Sequence, residues 1–76
     1  MIFQKEGDYV YQELIVEMVR KGVSQKELAQ LIGMSESALS LRLSGKVNLL
    51  FSEAVKIKKA LNSQLHLEVL FEKKDD

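Results

Sequence analysis

The 76-residue chain has no cysteine, no proline and no tryptophan. Without cysteine it can form neither a disulfide nor a thiolate metal site, and a reducing, cytoplasmic setting is the expectation. Without proline no helix need be broken from within, which suits helices joined by short turns. No apolar run approaches the roughly 18 residues of a membrane span, and no charged-then-apolar leader opens the chain, so neither membrane insertion nor export is expected. Catalytic signatures are missing too. There is no glycine-rich phosphate loop, no paired acidic dyad and no nucleophile motif, and the one histidine, His66, cannot make a metal site alone. An enzyme, a cofactor and a bound metal are therefore not expected.

Also missing is an excess of charge: 11 basic residues face 11 acidic ones. A chain basic throughout is excluded, yet the charges are not evenly spread. Residues 1–19 carry −3, residues 20–61 carry +5 and residues 62–76 carry −2. A nucleic-acid face needs local positive potential, and the middle of the chain has it. The length allows one domain, residues 1–76, with a small core that an oligomer contact would reinforce.

What is present is concentrated between Ser24 and Ser44. Ser24 stands three residues before Glu27, the spacing of a capping box, in which hydroxyl and carboxylate each accept a free backbone N–H of the other. Leu28, Leu31 and Ile32 follow at helical spacing, and Gly33 comes where a chain leaving a helix takes positive φ. Ser35 can cap a second helix carrying Leu39 and Leu43. Ala29 is small where two helices crossing steeply must approach. This is the logic of a helix-turn-helix over about residues 24–44, with Ser24–Ile32 supporting and Ser35–Ser44 recognising.

Ala29, Gly33 and Leu39, set among Leu28 and Ile32, resemble the core of the lambda-repressor-like (Cro/C1, XRE) regulators. The likeness runs from about Leu14 to Leu61. The ending Ser40-Leu41-Arg42-Leu43-Ser44-Gly45-Lys46 is similar to small phage-type members. The resemblance implies an all-α, five-helix DNA-binding domain.

Around this centre, Tyr11, Leu14, Ile15 and Met18 give an amphipathic helix ending near Lys21 and Gly22, with Asp8 as its cap. Ile2 and Phe3 either pack on the domain or lie loose. From about Leu50 to Asn62 a further helix turns Phe51, Ala54, Val55, Ile57 and Leu61 inward and Lys56, Lys58 and Lys59 to water; Asn48 and Ser52 are both possible caps. Leu65, Leu67, Val69 and Phe71 alternate as a strand would, while Leu67, Leu70 and Phe71 fit a helical turn, which the resemblance favours. Segment 63–76 is expected to pack on the domain and aid dimerisation, with a frayed tail.

The resemblance places Ser35, Glu36, Ser37, Ser40, Leu41 and Ser44 in the major groove, where a hydroxyl, a carboxylate or a leucine can meet a base edge or a thymine methyl. Against this, Ser35 has work as a cap and Glu36 as a partner of the helix dipole, whereas Ser37 and Leu41 have no evident structural task. Gln25, Lys46 and Asn48 are expected at phosphates. Arg42 should send its head to a phosphate or to a carboxylate. The expected function is a sequence-specific double-stranded DNA-binding regulator, a phage-type or Cro-like repressor acting as a homodimer on an operator. The alternatives are an antitoxin with a protein partner, and an interaction module that has lost DNA binding.

Overall fold

The computed structural model describes residues 9–73. Among them are five helices and no strand: α1 (Gln12–Lys21), α2 (Gln25–Ile32), α3 (Glu36–Leu43), α4 (Phe51–Leu61) and α5 (Leu67–Leu70). Within the Leu65–Phe71 stretch, Leu67–Leu70 form a helical turn. α2 packs against both α3 and α4, and α5 packs against both α1 and α4. Leu14, Met18, Leu28, Leu39, Leu43, Ile57 and Leu70, drawn from all five helices, are fully buried between them.

Three helices end in the same way. Gly22, Gly33 and Asn62 take left-handed φ values of 69°, 73° and 53°. The next residue then bonds back to a carbonyl of the last turn: Val23 N–H to Met18, Met34 N–H to Ala29, and Ser63 N–H to Lys58. Such caps satisfy carbonyls that would otherwise lack donors. Asn62 does this without being glycine, because asparagine tolerates the left-handed region better than most residues.

Several sequence expectations need correction. α1 begins at Gln12 with Tyr11 as its cap residue, and the Tyr11 side chain makes no capping bond. Burial fixes this start instead: the Tyr11 ring is buried and meets the Phe71 ring edge-on at 5.7 Å. Asp8, Ile2 and Phe3 lie outside the described residues. α4 is capped at Leu50, at neither Asn48 nor Ser52. Leucine has no acceptor to offer, so only half a capping box forms, with Glu53 Oε1 accepting the Leu50 N–H at 2.9 Å. Phe51 continues the inward stripe of Ala54, Ile57 and Leu61 by one turn, but the stripe outruns the helices it packs on, and the ring is 75% exposed. Leu31, one step round α2 from the buried Leu28 and Ile32, is exposed as well.

Lys58 was expected in water and is instead half-buried. Its Nζ donates to the carbonyls of Ser63 and Leu65, each at 2.7 Å. The chain turns sharply after α4, and those carbonyls have left any helix that would have paired them. A buried pair completes the junction: Ser63 Oγ donates to Glu17 Oε2 at 2.7 Å, Arg20 Nη1 to Glu17 Oε1 at 2.8 Å, and Lys21 Nζ to the Asn62 carbonyl at 3.2 Å. The Ser63 hydroxyl, followed by the Arg20 and Lys21 charges, holds the Glu17 carboxyl below its ordinary value, against a burial that pushes it up. Among the described residues no buried side-chain polar atom lacks a partner.

Candidate nucleic-acid interface

The two helices of the central motif are set by local chemistry at each end. Ser24 Oγ accepts the Glu27 N–H at 3.1 Å while Glu27 Oε1 accepts the Ser24 N–H at 2.9 Å, so the capping box forms in full. Gly33 turns the chain out of α2, and Ser35 Oγ opens α3 by accepting the Ala38 N–H at 3.1 Å. Ala29 is buried, as the small residue of a tight crossing should be. Leu39 and Leu43 are fully buried, which fixes the rotation of α3 about its axis.

That rotation decides which side chains α3 offers to solvent. Ser37 and Leu41 are exposed, one turn apart, opposite the buried stripe. Glu36 is exposed at the first turn, and Ser40 and Ser44 are half-buried at the flanks. Two of the hydroxyls are already occupied: Ser35 by its cap, and Ser44 by donation to the Leu41 carbonyl at 3.1 Å. Ser37, Leu41 and Glu36 therefore form the freest part of the face.

The residues expected at phosphates lie at the start of α2 and in the loop after α3. Gln25 is the first residue of α2, where a helix N-terminus suits an anion. Its Oε1 accepts from the Tyr9 hydroxyl at 3.4 Å. Lys46 and Asn48 are exposed in the loop after α3. Of the two destinations expected for Arg42, the structure has the carboxylate: Nε donates to Glu53 Oε1 at 3.0 Å, and Nη1 to the Ala38 carbonyl at 2.9 Å. Glu53 in turn holds the Leu50 N–H, and that bond, with Arg42 beside it, keeps the Glu53 carboxyl below its ordinary value. Arg42 and Glu53 thus tie α3 to the start of α4 and set the loop between them.

Sequence reasoning allowed Arg42 a carboxylate but did not name Glu53, and so missed the shape of the loop. The chain returns onto α3: both Lys46 and Val47 donate backbone N–H groups to the Leu41 carbonyl. Val10, just before α1, donates its N–H to the Leu43 carbonyl at 3.0 Å. Gly45, at φ 84°, lies so near Val10 that a Cβ there would meet Val10 Cγ1 at 3.0 Å. The positive φ strains any other residue at this glycine, and a Cβ would also crowd the Val10 side chain. The apolar corner at Val47, Leu50 and Phe51, all exposed, was also missed.

Among the described residues no cluster of three histidine, aspartate or glutamate side chains is placed to hold a metal ion, and no helix is long and apolar enough to cross a membrane. In comparison with known proteins, a family model described as helix-turn-helix matches residues 16–67, from within α1 to the start of α5. No curated protein matches the chain.

Proposed function

Since the chain belongs to the Cro/C1-type helix-turn-helix family, and is thereby a DNA-binding transcriptional regulator, we propose that it is a phage-type repressor that binds a two-fold operator as a homodimer. The observation that carries this reading is the outward face of α3. Ser37 and Leu41 stand exposed one turn apart on a helix whose rotation is fixed by two buried leucines. In the major groove the Ser37 hydroxyl serves as donor or acceptor and Leu41 meets a thymine methyl. Glu36 accepts from cytosine N4. Ser40 reaches from one flank, while Ser35 and Ser44 chiefly shape the helix ends. Gln25, Lys46 and Asn48 hold phosphates and set the register. Arg42 acts by fixing the loop that carries Lys46 and Asn48.

The experiment is selection of binding sites from random double-stranded DNA, followed by titration at low and high salt. The expected product is a palindrome whose half-site centres lie about 34–36 Å apart. Lys46→Ala should weaken binding to every sequence alike and reduce the salt slope by about one unit. Glu36→Gln should strengthen non-specific binding and erode the preference at one base pair. A reporter placed behind the selected site should fall in expression, since a repressor is proposed. No binding to any DNA at low salt would sink the reading and leave the interaction module, for which the zero net charge and an α3 whose one arginine is already paired are the supporting observations.

A further inference from the structure

We propose that Glu53 is a specificity-determining residue that does not itself meet DNA: by holding Arg42 it keeps the one cation of α3 away from phosphate, so that binding depends on the base-reading face rather than on charge. The inference rests on the DNA-binding reading above. There Arg42 shapes a loop; here its charge is withheld from DNA by a named partner.

The recognition helix is poorly charged for its task. α3 carries two ionised side chains, Glu36 and Arg42. Glu36 is exposed, where it repels phosphate. Arg42 is the only cation between Lys26 and Lys46 in the sequence. Yet it is not spread toward solvent. Its side chain is 21% exposed, against 62% for Arg20, the arginine of the Glu17 pair.

The withdrawal is held by charge. Glu53 Oε1 accepts both Arg42 Nε at 3.0 Å and the Leu50 N–H at 2.9 Å, while the Ala38 carbonyl takes Arg42 Nη1 at 2.9 Å. The Leu50 N–H and Arg42 keep the Glu53 carboxyl below its ordinary value against its burial, so it is ionised at neutral pH. A carboxylate and a phosphate are similar partners for a guanidinium. Leaving Glu53 for DNA therefore exchanges one charge-assisted bond for another. It also strands a carboxylate only 15% exposed beside a polyanion. A neutral partner at position 53 would impose no such cost, and the Ala38 carbonyl alone would not outweigh a phosphate.

Once released, Arg42 is placed to reach phosphate. The Gly45 N–H bonds back to the Arg42 carbonyl, and the Lys46 and Val47 N–H groups to the Leu41 carbonyl. The loop proposed to hold phosphate thus lies folded against the turn that bears Arg42. An added phosphate contact strengthens binding to every sequence alike. A regulator meets a vast excess of non-specific sites, so the contrast between operator and other DNA matters more than affinity alone. With zero net charge and Arg42 withheld, that contrast rests on Glu36, Ser37 and Leu41.

Glu53→Gln removes the charge and keeps an oxygen for the Leu50 N–H, so α4 stays capped. With its fold checked by circular dichroism, it should bind random-sequence DNA at least about threefold more tightly and steepen the salt slope by about one unit. The ratio of operator to random-sequence affinity should fall. In an Arg42→Gln background the same change should alter random-sequence affinity by less than about twofold. Arg42→Gln alone, which leaves Glu53 in place, should weaken operator binding by loosening the loop but keep the salt slope, unlike Lys46→Ala. A gain from Glu53→Gln of equal size in both backgrounds, or no gain in either, would overturn the proposal. So would a salt slope lowered by about one unit in Arg42→Gln, which would put the arginine on phosphate in the unaltered complex. Failure of the unaltered chain to bind any DNA would instead overturn the functional reading beneath it.

Discussion

The two ends of α4 are built on opposite terms. At its C-terminal end polar groups turn inward: Ser63 and Glu17 meet out of solvent, and Lys58 and Lys21 reach over to backbone carbonyls. At its N-terminal end apolar groups turn outward: Leu50 and Phe51 stand in water while Glu53 gathers the nearby donors. The first end is where the chain holds itself together, anchoring a short α5 that has no independent stability. The second is where the chain is open to something else. In a domain this small the core covers little surface, so some apolar side chains stay outside it and polar contacts help to close the fold.

The sharpest way to break this contrast is Leu70→Ala. Leu70 is the fully buried side chain of α5, so its truncation should cost about 2–5 kcal/mol, read from urea or thermal unfolding. A loss below about 1 kcal/mol would mean that α5 is not part of the held end. Ala29→Leu tests the joint between the ends. Overpacking a residue 2% exposed should cost about 1–3 kcal/mol, and an unchanged thermal midpoint would put the tight α2–α3 crossing in doubt.

Ser63→Ala probes the held end more gently. It leaves one Glu17 oxygen without its donor, at about 1–2 kcal/mol. It should also change the acid limb of stability. Glu17 and Glu53 both have folded-state values lowered from 4.5. Their contribution is complete above that value and is lost as pH falls through the lowered ones. The unaltered chain should therefore lose stability progressively below about pH 4.5, and Ser63→Ala should show a shallower decline. A decline of equal depth would assign the acid sensitivity elsewhere. The smallest effect belongs to the open end: Phe51→Ser should change unfolding free energy by no more than about 0.5 kcal/mol. A cost matching that of Leu70→Ala would show that the ring serves the fold and would erase the contrast.

The same division separates what was legible in the sequence from what was not. Ser24 and Glu27, Gly33, Ser35, and the inward Leu39 and Leu43 act within one or two helical turns, so spacing alone revealed them. The outward face of α3 followed by elimination. Glu17 and Ser63 are 46 residues apart, and Arg42 and Glu53 are 11 apart across a loop, so no local pattern joins them. Lys58 read as a solvent lysine because its partners are carbonyls, which any residue supplies. Phe51 read as core because periodicity gives the direction of a side chain, not whether another helix extends far enough to cover it.

The bond from the Val10 amide to the Leu43 carbonyl makes one proton a reporter on the recognition helix. Its exchange with solvent requires the segment before α1 to lift from the end of α3, with the Val10 side chain leaving its place beside Gly45. Followed by NMR in deuterated buffer, that single resonance measures how often this junction opens. Its slowing on addition of DNA would measure how much the bound state stiffens the seam between the end of α3 and the segment before α1, which itself carries none of the proposed base-reading side chains.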